Sequence, residues 1–383
     1  MVSAMARSSS YFDGDAETKA RGLFQLLRED GTPVDEAALA GFDKAFARRL
    51  FDGMLRIRVT DARMIALQRQ GRISFYGEAM GQEAAVVGSA AASKPEDWIV
   101  PALREAGVGL FRGMTLDSYI AQIYGNAADV SKGRQMPCHP CDAGRHYVVM
   151  SSCVSTQVPH AVGIAMAMKI KGDKGACCFG YMGDGGTSEG DFHVSMNFAG
   201  VTKAPVVLIC QNNQWAISTP GTIQTASETI AIKGLGYGVE SLRADGNDVF
   251  AVHEVVSYAA EKARRGDGPT FIELLTYRVS AHSTSDDPSR YRDESVTEVW
   301  RSQKDPLRRM EAFLVKRGWL AAGEREAMAA EIEHQVRDCI ARQEATPLPP
   351  RETLIEDVYE TPPWHLREQL EQTPPAPAPG HAK

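Results

Sequence analysis

Residues 183–213 read GDGGTSEGDFHVSMNFAGVTKAPVVLICQNN. An apolar run, ACCFGYM at residues 176–182, precedes the stretch, and a second, PVVLIC at 205–210, lies inside it. Both runs have the length and the β-branched or aromatic content of buried parallel strands. Between them Phe192, Met196 and Ala199 fall at helical spacing, and Gly200 reads as a stop. The unit is therefore strand, loop, helix, strand. A crossover of this kind brings the ends of both strands to one edge of a parallel sheet. That edge is where open α/β sheets hold ligands.

The loops at that edge carry a particular set of groups. Gly183 and Gly185 flank Asp184, Asn212 and Asn213 end the second run, and twenty-six residues, 186–211, separate the two halves. Glycine lets a backbone approach a diphosphate closely, and a neighbouring carboxylate can hold Mg²⁺. Asp184, the Asn213 amide oxygen and the Trp215 carbonyl could supply three of the six oxygens that Mg²⁺ requires. A lone Gly-Asp-Gly is no more than a turn after a strand. Here both halves, the gap and the strand–helix–strand context agree. Together they resemble the thiamine diphosphate motif.

The chain has 383 residues, with 42 Lys and Arg against 49 Asp and Glu, a net charge of −7. That length suits one large domain or two modest ones. The acidic balance gives no electrostatic case for nucleic acid. Basic clusters such as Lys262-Ala263-Arg264-Arg265 read as a solvated helix end. Seven cysteines spread over a long chain argue against a disulfide framework and fit a reducing compartment. Cys138-His139-Pro140-Cys141 matches C-x-x-C, but no second pair lies at zinc-finger spacing, so it reads as a plain loop. Residues 1–34 hold no apolar run long enough for a secretory leader or a membrane span. Their start is Ser-rich but soon acidic, which speaks against a mitochondrial transit peptide. The expectation is a bacterial cytoplasmic protein, with the mitochondrial matrix a poorer fit.

In chain order, residues 1–34 read as an irregular arm. Asp35 is the expected cap of a helix carrying Leu39, Phe42, Phe46, Leu50 and Met54 at helical intervals and running on through Leu67. Further helices are expected from residue 81, after residue 157, at 249–265 and over 306–342. Strands are expected at 98–100, 237–242 and 271–275. The alternation predicts an α/β parallel sheet with helices on both faces, spanning 35–345. A Pro-rich tail, 346–383, is expected to be extended or to wrap a partner. The polar stretch after Tyr277, YRVSAHSTSDDPSRYRDE, is long enough to expect a functional loop.

Several segments now agree. QGRISFY, REAG, KGRQMP, the GDG…NN unit, NQWAISTP and TYR…HSTSDD…YR occur in order over residues 68–293. The chain resembles the alpha subunit of the thiamine diphosphate-dependent decarboxylating component of a 2-oxoacid dehydrogenase complex. HSTSDD is nearest the branched-chain enzyme, since pyruvate dehydrogenase alpha chains typically read HSMSDP there.

The resemblance implies that Asp184, Asn213 and the Trp215 carbonyl hold Mg²⁺. It implies that Gly185 and Gly186 offer backbone to the diphosphate, with Arg104 pairing to a phosphate and Arg278 helping. Ser152 and Val154 would border the aminopyrimidine through backbone groups. His282 would face the reacting centre, and Phe75 and Leu103 would line the substrate pocket. Ser151, Cys153, Thr156 and Gln157 would hold K⁺. The implied partners are a beta subunit, in a heterotetramer of two alpha and two beta chains, and a lipoyl acyltransferase core. The chain alone would be inactive, because the activating glutamate of this family lies on the beta subunit.

A pocket bordered by Phe75, Val154 and Leu103 would be apolar and moderately roomy, which favours the branched 2-oxo acids, 3-methyl-2-oxobutanoate among them. The alternatives are a pyruvate or acetoin dehydrogenase alpha subunit, or a non-catalytic cofactor-binding subunit. Three departures from the family stand out: Leu103 for a frequent tyrosine, Gln211 for a frequent arginine, and Trp215 for a usual tyrosine. Ser283 matches a serine phosphorylated in animal members, and Asp293 stands at a second such position. Nothing in this sequence argues for a kinase.

Overall fold

The two apolar runs around the Gly-Asp-Gly turn become neighbouring strands. The computed structural model describes residues 10–356 and 358–374. Its strands are β1 (Trp98–Val100), β2 (Cys178–Gly183), β3 (Val206–Asn212), β4 (Trp215–Ala216), β5 (Thr219–Pro220), β6 (Glu240–Asp245) and β7 (Thr270–Leu275). Five of them form one parallel sheet in the order β1-β2-β3-β7-β6.

Register explains the site's position. Gly183 pairs with Gln211, and Asn212 pairs with Leu275. Asp184, Asn213 and Thr276–Arg278 therefore leave the sheet side by side. Alternate strand residues face opposite sides, as the pleat requires. Phe179, Tyr181, Val207 and Ile209 join one core, with residues of the helices Lys44–Arg69, Glu83–Ala92 and Val249–Arg265. Cys178, Met182, Val206 and Leu208 join the other, with the helices Gln157–Lys171 and Gly190–Thr202. The expected α/β parallel sheet with helices on both faces is what the chain forms.

Several boundaries differ from expectation, each for a local reason. The long helix begins at Lys44, capped by Asp43, whose carboxylate accepts from the Phe46 N–H at 2.7 Å. Asp35 instead accepts from Ala37 N–H at 2.9 Å and starts one 3₁₀ turn. The helix Gly190–Thr202 runs through Gly200 and ends at Lys203, at φ 47°. A Cβ on Gly200 would lie 2.5 Å from the Tyr237 carbonyl oxygen, so this glycine serves close packing and not termination. The strand expected at 237–242 starts later, because 231–237 wind into 3₁₀ helix and Gly238 caps it at φ 66°.

Residues 10–34 do more than an irregular arm would. They carry a helix, Ala16–Arg21, and the Phe24 N–H donates to the Arg243 carbonyl at 3.0 Å while Asp245 N–H donates back to Phe24 at 3.0 Å. The segment thus covers the free edge of β6, which would otherwise invite another chain. The tail is not simply extended: it forms short helices at Thr353–Glu356 and Trp364–Gln372. The Ser-rich start at 1–9 and the last prolines at 375–383 lie outside the described residues. Among the described residues no helix is long and apolar enough to cross a membrane.

Candidate functional site

The turn after β2 is a 3₁₀ helix, Asp184–Ser188. Packing presses it from two sides. A Cβ on Gly185 would sit 2.6 Å from the Ala216 Cβ, and one on Gly186 would sit 2.8 Å from the Ser155 Oγ. The Gly186 carbonyl accepts from the Ser155 hydroxyl at 2.6 Å. Asp184 accepts at its backbone oxygen from Gln224 Nε2 at 2.7 Å and Thr187 Oγ1 at 2.8 Å. Asp184 is 1% exposed, and its Oδ2 is buried without a hydrogen-bond partner. Burial pushes its acid up to about 6, against the pull of Arg278. A buried oxygen of this kind is costly unless something binds it.

Asn213, at the adjacent strand end, donates Nδ2–H to Gln82 at 3.1 Å and accepts from Trp215 N–H at 3.2 Å. Its amide oxygen keeps a second lone pair. The chain then turns through Gln214 at φ 69° and Ile217 at φ 54° to make the β4–β5 hairpin. A β-branched residue at positive φ is a strained position, a feature that gathers at functional loops. Gln211, the departure noted above, donates from Nε2 to Glu105, and its Oε1 is buried without a partner. Burial pushes the Glu105 acid up to about 7.

Arg278 leaves β7 beside them, fully buried. One nitrogen, Nη2, donates to the Ile217 carbonyl and to Tyr291 Oη, each at 2.7 Å, while Nε and Nη1 have no partner. Tyr291 donates to Asp286 Oδ2 at 2.5 Å, and the same oxygen accepts the His282 N–H at 2.7 Å. A hydrogen-bonded chain thus runs from Arg278 to the His282 backbone. Burial first, then the charges of Arg104 and Arg278, push the His282 pKa down to about 4, so the ring is neutral at physiological pH. Arg104 is buried and ties its fork to the carbonyls of Glu78 and His282, the latter at 2.8 Å. Three of its five N–H donors remain for an anion.

The loop before the helix Gln157–Lys171 borders the Asp184 turn. The Thr156 hydroxyl lies 3.1 Å from Ser151 Oγ and 2.8 Å from the Cys153 carbonyl. Gln157 donates to the Tyr181 carbonyl at 3.0 Å and leaves Oε1 buried and unpartnered. Ser152, Cys153 and Val154 are exposed. Leu103 is half-buried, and its Cγ is 3.8 Å from where a Gly77 Cβ would stand, close to the His282 carbonyl. Phe75 packs against the main core. Among the described residues no group of three or more His, Cys, Asp and Glu could hold a metal. The expected Mg²⁺ set, with one carboxylate, is not of that kind.

Two partners were not visible as such in the sequence. Gln224 braces the Asp184 backbone across 40 residues, and Tyr291 joins Arg278 to Asp286 across a turn. Neither has a periodic signal, since the Gln224 contact forms only when separate loops meet at the sheet edge and the Tyr291 contact only when its own loop folds back on itself.

Residues 52–352 match the family described as dehydrogenase E1 component. An Arabidopsis thaliana protein named 2-oxoisovalerate dehydrogenase subunit alpha 2, mitochondrial, is 40% identical over 358 residues, covering 94% of this chain and 76% of the relative. The Homo sapiens 2-oxoisovalerate dehydrogenase subunit alpha, mitochondrial, is 38% identical over 349 residues, 91% of this chain and 78% of the relative. The Dictyostelium discoideum protein of the same name is 40% identical over 350 residues, 91% and 79%. These names overturn the expectation of a bacterial cytoplasmic location, because each relative is called mitochondrial. A few acidic residues near the start of a chain do not determine its compartment. With most of its length matched by the family and its relatives, the chain belongs to the dehydrogenase E1 component family.

Proposed function

We propose that this chain is the alpha subunit of a branched-chain 2-oxoacid dehydrogenase. It would take part in thiamine diphosphate-dependent oxidative decarboxylation of 3-methyl-2-oxobutanoate and related acids, with acyl transfer to a lipoyl group on a partner. One observation carries the reading. At a single sheet edge a buried carboxylate oxygen, Asp184 Oδ2, and two buried guanidinium nitrogens of Arg278 all lack partners, and the two groups are close enough for the arginine to lower the Asp184 pKa. A divalent cation held by Asp184 and a diphosphate held by Arg278 would satisfy both groups.

Mg²⁺ would take Asp184, the Asn213 amide oxygen and the Trp215 carbonyl. Arg104, Arg278 and the backbone N–H groups of Gly185 and Gly186 would hold the diphosphate. When bound, thiamine diphosphate supplies the electron sink for decarboxylation. This chain's residues bind and orient around it. Ser152 and Val154 would border the aminopyrimidine. Ser151, Cys153, Thr156 and Gln157 would hold K⁺, with Gln157 Oε1 the oxygen that lacks a partner. A neutral His282 would offer one ring nitrogen as a hydrogen-bond donor and the other as an acceptor without adding charge. Leu103 and Phe75 would border the substrate side chain. The beta subunit would complete the site in a heterotetramer of two alpha and two beta chains on a lipoyl acyltransferase core.

The test is CO₂ release by the tagged chain purified with its partners, comparing 3-methyl-2-oxobutanoate with pyruvate, with and without cofactor and Mg²⁺. Faster cofactor-dependent release from the branched acid is expected. Preference for pyruvate would leave the site and change the substrate. No cofactor-dependent release from either acid by a complex containing both subunits would overturn the reading.

A further inference from the structure

The Cys138-His139-Pro140-Cys141 stretch has no role in the function proposed above. Its thiols do not act together: buried Cys138 lies 3.8 Å from the Phe75 carbonyl, and Cys141 lies 3.8 Å from Ser131 Oγ. The residue with a defined geometry is His139, which is 2% exposed. Its Nδ1 is 3.0 Å from the Pro137 carbonyl. A carbonyl only accepts, so Nδ1 carries the proton and Nε2 presents a lone pair. That lone pair meets the Ser152 hydroxyl, which therefore donates to the ring. The histidine is itself held, its backbone N–H donating to Gln122 Oε1 at 3.2 Å, while Gln122 Nε2 donates to the Met136 carbonyl at 2.8 Å.

Ser152 stands on the exposed part of the loop beside the Asp184 turn. The far end of that loop is anchored by Ser155 on the Gly186 carbonyl at 2.6 Å. His139 supplies the near anchor. We propose that His139 is a positioning residue: it fixes the Ser152–Val154 backbone for the cofactor's aminopyrimidine ring and leaves the Ser152 oxygen as an acceptor only. The inference rests on the cofactor reading above. It gives His139 a task that neither metal ligation nor redox chemistry would explain, and it makes Ser152 the other half of a pair.

Calorimetric titration of thiamine diphosphate, in excess Mg²⁺, into the cofactor-free complex with its beta partner tests it. His139→Ala and Ser152→Ala should each weaken binding about tenfold, and the double variant no further, because one contact is lost only once. His139→Gln, whose Oε1 reaches to where Nε2 stood, should recover most of the affinity. The thermal midpoint of the cofactor-free Ser152→Ala complex should fall by no more than one lost hydrogen bond accounts for, and a larger fall would mark Ser152 as structural and overturn the inference. Additive losses, wild-type affinity in both single variants, or no recovery in His139→Gln would overturn the inference. If His139→Ala does not assemble, Ser152→Ala and His139→Gln carry the same decision. A wild-type complex that binds no cofactor would instead overturn the cofactor reading and this inference with it. Normal wild-type binding beside unchanged Ser152→Ala and His139→Gln binding would remove this inference alone.

Discussion

Replacing Asp184 by asparagine should make the cofactor-free protein more stable while removing its cofactor. Asp184 is 1% exposed, its Oδ2 has no partner, and burial lifts its acid from 3.8 to about 6. That rise corresponds to roughly 3 kcal/mol. The folded pKa lies above the unfolded one, so the protonated form is favoured by the fold. The cost of the carboxylate is therefore absent well below pH 4, grows as pH rises, and is nearly full above about pH 6.5. Asparagine removes the charge but leaves an unpaired N–H, worth about 1 kcal/mol. The net gain at pH 8 is then about 2 kcal/mol, or roughly 2–3 °C in thermal midpoint for a chain of this length. At pH 4.5 about 1 kcal/mol of the original cost remains, and the gain should vanish.

The assay is thermal unfolding of the cofactor-free complex, wild type against Asp184→Asn, at both pH values. Adding Mg²⁺ and thiamine diphosphate at about 100 times the dissociation constant should raise the wild type by about 2.7 kcal/mol and leave the variant unmoved, so the order reverses. A variant that melts at or below wild type at pH 8 without cofactor would refute the reasoning. So would a gain of equal size at pH 4.5.

Three further outcomes are expected. Gly185→Ala should destabilise the protein by about 1–3 kcal/mol, because its Cβ would meet the Ala216 Cβ at 2.6 Å and the hairpin must move; a thermal midpoint equal to wild type would show that the turn is not pressed there. Tyr291→Phe removes the hydroxyl joining Arg278 to Asp286, at a cost of about 1 kcal/mol, and should speed limited proteolysis within residues 280–292. His282, with its pKa held down to about 4, should stay neutral above pH 5.5, and the stability it contributes should fall as pH drops from 6.5 towards 4. The pH–rate profile for lipoyl acylation should then carry no His282 inflection near 6.5, and an inflection there that disappears in His282→Gln would contradict this.

The strands and the Asp184 turn could be read in the sequence because the signals are local. Apolar runs of six or seven residues between turn formers, with a helix-period segment between them, leave little choice but a parallel pair. The helix Val249–Arg265 has the bounds expected of it, with Asp248 capping its start and Gly266 its end. Boundaries failed where a residue answered to a distant neighbour. Gly200 looked like a stop but makes room for the Tyr237 carbonyl. Asp35 looked like a cap, while Asp43, nearer the helix, took that role. Residues 10–34 looked irregular because their partners, Arg243, Asp245 and Asp248, lie more than two hundred positions away.

By itself, the amino-acid sequence determined the parallel strands and the acid and amides delivered to one edge of the sheet, because strand pairing and the pleat place residues by count alone. Only the tertiary structure decided which of those groups are left without partners. Arg278 reaches Tyr291 and through it the His282 loop, Gln211 turns to Glu105, and His139 reaches Ser152 because folded loops bring side chains together at separations that no periodicity encodes. The raised acid of Asp184 and the lowered base of His282 follow from the same cause. Burial is a property of the packed whole, and it acts on a charge only after the chain around it has closed.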